Sequence, residues 1–84
     1  MSNKMKCRIV SIGKNDAYYP NREDIVGALV EIDTTLDYNL KKYSGDATYI
    51  GRKILQWEYQ NEIVEFHKGD FFFFHTVELR KVSK

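Results

Sequence analysis

Eighty-four residues make a single domain, large enough to fold alone but with a thin core. Hydrophobic residues at 43% and charged residues at 30% are ordinary globular composition and exclude wholesale disorder. A net charge of +1 excludes a nucleic-acid binder that relies on bulk charge, so such a role must rest on local clustering.

Residues 1–4 read as a flexible tail with no signal-peptide pattern. Lys6 to Gly13 (KCRIVSIG) reads as a first strand. Cys7 and Ile9 share one parity while Val10 and Ile12 share the other, so a bulge near Ile9-Val10 or burial of both faces is expected. Lys14 to Asp24 is a long polar loop with turn chemistry at Asn15-Asp16 and Pro20-Asn21, and its large rings are Tyr18 and Tyr19. One tyrosine is expected to pack on the domain and the other to face solvent.

Ile25 to Thr35 alternates as a strand, with Val26, Ala28, Val30 and Ile32 on one face and Gly27 marking a bend or close approach. Leu36 to Ala47 is a second polar connection; Leu36, Leu40 and Tyr43 could carry one helical turn over residues 36–43, ended by Ser44-Gly45-Asp46. Thr48 to Tyr59 resumes strand character with Leu55, Trp57 and Tyr59 on one face. A turn at Gln60-Asn61-Glu62 returns through Ile63 to His67, and Lys68-Gly69-Asp70 turns again.

The last stretch dominates the chain. Phe71 to Phe74 are consecutive, His75-Thr76 reads as a break or tight 3₁₀-like turn, and Val77 to Val82 alternates with Val77 and Leu79 inward. Successive strand side chains point to opposite faces, so two rings point in and two point out. Each buried Phe is worth roughly 1.5–3 kcal/mol, so the outer pair requires a cover. That cover is either a loop of this chain, with Leu36 to Ala47 the best candidate, or an interface.

The order of elements resembles small SH3-like barrels, the group that includes KOW-type modules. The resemblance rests on a basic first strand (KCRIVSIG), a long first loop returning through IVGALVEI, and aromatic residues closing on VELRKV. It covers most of residues 5–82, and a short chain of this kind also resembles small proteins of bacteria and their phages. It implies an all-β fold: a five- or six-stranded SH3-like barrel over residues 5–84, with two long polar loops and at most one short helical turn. It also implies a binding or assembly module, since such barrels bind nucleic acid, peptides or other subunits.

No constellation for catalysis stands out. Cys7, His67 and His75 lack metal-ligand spacing, Cys7 reads as a buried thiol, and the loop carboxylates read as solvated. A single cysteine points to a reducing, cytoplasmic setting. The expectation is therefore a non-enzyme without cofactor or metal and without a membrane segment. It would act on a protein partner or on its own copy through Tyr18, Tyr19, Trp57, Phe71 and Phe73. The alternative is nucleic-acid binding through Lys41, Lys42, Arg52, Lys53 and Trp57.

Overall fold

The four phenylalanines are extended, and their alternation sorts them. Phe72 and Phe74 are fully buried, whereas Phe71 is 67% and Phe73 56% exposed. The computed structural model describes residues 4–33 and 40–82. Within them run six strands: β1 (Lys4–Ile12), β2 (Leu29–Asp33), β3 (Tyr43–Tyr49), β4 (Leu55–Tyr59), β5 (Glu62–Phe66) and β6 (Phe71–Lys81). Two short 3₁₀ turns, Lys14–Asp16 and Leu40–Lys42, complete the regular structure. β1, β2, β3 and β6 close into an antiparallel barrel in that order, and β4–β5 forms a separate two-stranded sheet. This is an all-β small barrel consistent with an SH3-like architecture. No helix among the described residues is long and apolar enough to cross a membrane.

β6 is the staple of the barrel because it pairs with β1 on one side and β3 on the other. Both ladders are bulged. On β1, Ile9 to Ser11 spans two residues against Leu79 to Glu78 on β6, so Val10 is the extra residue at the expected position. On β6, Phe74 to Val77 spans three residues against two on β3, from Gly45 to Tyr43. His75-Thr76 is therefore a bulge inside one continuous strand and not a break. The extra residue moves the inward parity from Phe72 and Phe74 to Val77 and Leu79, all at most 3% exposed.

Several boundaries differ from the sequence expectation. Lys4 belongs to β1 and not to a tail. The second strand starts at Leu29, because Ile25 and Val26 turn back to donate their N–H groups to the Arg22 carbonyl, at 3.0 and 2.7 Å. Gly27 lies at φ 107°, in the region that favours glycine, and gives its N–H to the Ile9 carbonyl at 2.7 Å. Ile25 rather than Val26 is the buried residue there. Thr34 and Thr35 lie outside the described residues.

Ser44-Gly45-Asp46 does not end a helix; it lies inside β3, which starts at Tyr43. The strand expected from Thr48 to Tyr59 is split by residues 50–54 into the end of β3 and β4. The helical turn is a 3₁₀ turn at Leu40–Lys42, and residues 36–39 lie outside the described residues. Residues 43–47 cannot act as a flap over the outer phenylalanines, because they are β6's in-plane ladder neighbours. Phe71 and Phe73 stay exposed.

The β4–β5 hairpin shares no ladder with the barrel and docks on it through rings. Trp57 and Phe66 lie 5.3 Å apart by centroid, Phe66 sits 4.6 Å from Phe72, and Phe72 stacks on Phe74 at 5.4 Å. Such tilted and stacked contacts add to the area term of aromatic burial. The two parities of the tetrad should separate in stability. Phe72→Ala is expected to cost about 3–5 kcal/mol in urea unfolding, and Phe73→Ala to stay within about 0.5 kcal/mol.

Candidate functional site

β1 pairs with β6 only from Val77 to Lys81, so the β6 edge from Phe71 to Thr76 has no strand beside it there. Backbone donors stranded in this way cost free energy unless something accepts from them. The first loop supplies the acceptors. The 3₁₀ turn Lys14–Asp16 aims the Asp16 carboxylate at the strand, where it accepts from the N–H groups of His75 at 2.6 Å and Thr76 at 2.8 Å. Three residues later the Tyr19 hydroxyl accepts from the Phe73 N–H at 2.9 Å and donates to the Phe73 carbonyl at 3.1 Å. Asp16 is 2% exposed, so the expectation that the loop carboxylates are all solvated fails at this residue. Gly13 lets the loop approach, since a Cβ there would stand 2.1 Å from the Thr76 carbonyl oxygen.

The Tyr19 ring lies at the centre of the aromatic core. Its centroid is 5.1–6.3 Å from Tyr18, Phe72, Phe74, Trp57 and Phe66. Burial raises the Tyr19 phenol above its ordinary value near 10, opposed by the Phe73 hydrogen bond and assisted by the Asp16 charge. Its stabilising contribution is therefore intact below pH 10 and is lost as pH rises through the raised value.

This latch fixes the strand that carries the exposed rings. Phe71 and Phe73 project from the outer face of β6, beside Thr48 and Asp46 on β3, with the His75 ring edge-on to Phe73 at 5.3 Å. Phe73 thus presents its ring to solvent while one buried hydroxyl holds both of its backbone polar groups.

The other candidates are scattered. Tyr18 is 39% exposed and leans edge-on against Tyr59 at 4.6 Å. Tyr19 and Trp57 are buried, so their rings are not on offer to a partner. Trp57 donates its Nε1–H to the Tyr18 carbonyl at 3.1 Å. Lys41 and Lys42 sit on the turn before β3, while Arg52 and Lys53 follow its far end. A seven-residue strand at roughly 3.3 Å per residue puts about 20 Å between the two pairs. They do not form one stripe, and no Trp57 face lies between them for a base to stack on.

Arg52 and Lys53 instead line an open cleft of about 320 Å³ with Arg8, Glu23, Asp24, Tyr49 and Leu55. Arg22 donates from Nε and Nη2 to the two carboxylate oxygens of Asp24, and this pairing holds the Asp24 carboxyl below its usual range against the opposing effect of burial. Sequence reasoning did not single out Arg8 or Arg22, whose roles depend on the first loop folding back. Cys7 is buried, and burial pushes its thiol up, with Lys81 opposing. Among the described residues no three His, Cys, Asp or Glu side chains gather closely enough to hold a metal.

Asp16→Ala leaves two part-buried backbone donors without their acceptor and is expected to cost roughly 2–3 kcal/mol in urea unfolding. Faster amide exchange should appear at His75 and Thr76 before it appears at Val77. Comparison with family models, with curated proteins and with solved structures returned no match to this chain.

Proposed function

We propose that this barrel is a non-catalytic binding or assembly module whose contact is the Phe71–Phe73 ring pair, docking on a protein partner or on a second copy of itself. The observation that carries the reading is the pairing of high exposure with a fixed backbone. Two large rings stand 67% and 56% exposed on a strand that closes the barrel and is latched by Asp16 and Tyr19. Interface cores favour aromatic anchors, and a ring held in place loses little further freedom on binding. Tyr18, also exposed, packs against Trp57 and Tyr59 on the hairpin and lies outside this pair. The KOW-type likeness stays at the level of the barrel. A lone buried thiol suits a reducing compartment, in keeping with a cytoplasmic module.

Sedimentation velocity across a concentration series tests the reading. Self-association is expected as a concentration-dependent dimer that Phe73→Ser weakens at least tenfold. A monomer at every concentration assigns the surface to a foreign partner, and capture of that partner from the native cell must then fail with Phe73→Ser. Capture that survives the Phe71→Ser, Phe73→Ser double variant removes the proposal.

A second reading, nucleic-acid binding, draws on the cleft where Arg8, Arg52 and Lys53 meet. It predicts that affinity for mixed oligonucleotides falls steeply with salt and drops with Arg52→Ala but not with Lys41→Ala. A flat salt response ends it.

A further inference from the structure

Strand edges carry rows of N–H and C=O groups that recruit further strands unless covered. Two edges of this fold are covered by side chains. β6 has Asp16 and Tyr19, and β4 has Arg22, whose Nη2 donates to the Gln56 carbonyl at 2.9 Å. β5 differs.

The β4–β5 hairpin turns on Gln60 and Asn61, at φ 51° and 68°. That two-residue geometry closes on a hydrogen-bonded pair, here Tyr59 with Glu62. Alternation then places Trp57–Val64 and Leu55–Phe66 in the bonded class and aims the N–H and C=O groups of Ile63 and Glu65 away from β4. Two contacts fix this phase. Gln56, opposite Glu65, sends its carbonyl outward to Arg22, and His67, next in the Ile63–Glu65 series, gives its N–H to the Asp70 carboxylate at 2.7 Å. Ile63 and Glu65 have no backbone partner on that side among the described residues.

The side chains along this edge specify what could fill it. On one face Ile63 is 66% exposed, beside Glu65 and across from Glu58. On the other face Val64 and Phe66 are half-buried against the core, with Glu62 at the end. Residues 55–66 hold three carboxylates and no Lys or Arg. Glu65 meets Gln56 at 3.4 Å and His67 at 3.0 Å, and no Lys or Arg pairs with Glu58, Glu62 or Glu65 among the described residues. A second copy would bring its own three carboxylates to the same contact, and like charges across a strand pair are destabilising.

We propose that β5 is a docking edge for an extended basic segment of another protein, added as a third strand to the β4–β5 sheet. Alternate apolar side chains of that segment cover Val64 and Phe66. The intervening Lys or Arg side chains reach Glu65 and Glu58. Main-chain hydrogen bonds to Ile63 and Glu65 supply the affinity, and the carboxylates select the sign of charge. This surface is separate from Phe71 and Phe73 and does not depend on their role.

The probe is a fluorescein-labelled hexapeptide of alternating lysine and valine, titrated by anisotropy against the intact chain. Its control is the same peptide with glutamate for lysine. Saturable binding is expected for the lysine peptide, with affinity at least tenfold lower for the control and for the Glu58→Lys, Glu65→Lys variant. Amide exchange at Ile63 and Glu65 should slow on binding. Ile63→Pro removes an outward N–H without removing a β4–β5 ladder bond and should abolish binding, whereas Phe71→Ser with Phe73→Ser should leave it unchanged. Absence of binding, equal binding of both peptides, unaltered affinity in the charge-reversed variant or unprotected Ile63 and Glu65 amides each overturn the proposal. So does protection that grows with protein concentration and needs no peptide, which assigns the edge to self-pairing.

Discussion

Two side chains stand in for a strand that the barrel lacks. Past Ile12 the first strand turns away, and the N–H groups of Phe73, His75 and Thr76 would face empty loop if the Tyr19 hydroxyl and the Asp16 carboxylate were not there. A carboxylate is a strong acceptor, a phenol hydroxyl both accepts and donates, and a buried carboxylate needs donors as much as the donors need it. The pairing is mutual, and so it orders a loop that composition alone would leave loose. Gly13 is part of the same device, because only a residue without a side chain lets the loop come so close to Thr76.

From that fastening the rest of the architecture follows. Tyr19 binds the strand edge with its hydroxyl, and its ring wedges among Phe72, Phe74, Trp57 and Phe66. The barrel and the hairpin therefore meet through rings, and the first loop is held between them by Tyr18, Tyr19 and Arg22. The inward half of the phenylalanine run builds this cluster. The outward half is left exposed on a strand whose edge is held by side-chain hydrogen bonds. The exposed β5 edge lies on the other sheet, so the two proposed contact surfaces differ in chemistry, one aromatic and one acidic.

Much of the fold could be read from local pattern. Period-two alternation sorted the four phenylalanines by face, and the parity switch between Ile9 and Val10 located a bulge, because both are properties of a few adjacent residues. The tyrosine pair was also legible as one ring in and one ring out. What escaped depends on residues far apart in sequence. Asp16 looks like any loop carboxylate until the amides it serves, some sixty positions on, are brought to it. β3 was obscured because Tyr43-Ser44-Gly45-Asp46 has the composition of a turn, and its extension is imposed by the β6 ladder. Trp57 and its basic neighbours suggested a stacking face in one dimension, and the hairpin turns that ring inward in three. The acidic edge of β5 became visible only once the phase of the hairpin was known, since it depends on which backbone groups point outward.

The latch also bears on how the chain reaches its native state. Its hydrogen bonds join positions 54 to 60 residues apart, and β6 must meet β1 and β3 before any of them can form. Closing so long a loop costs entropy before any contact offsets it, and topologies dominated by such distant pairings assemble on the slow, millisecond-to-second side of small domains. Without β6, the inner faces of β1, β2 and β3 lack Phe72, Phe74, Val77 and Leu79 of the shared core. Barrel closure therefore rests on the last strand of the chain reaching both β1 and β3.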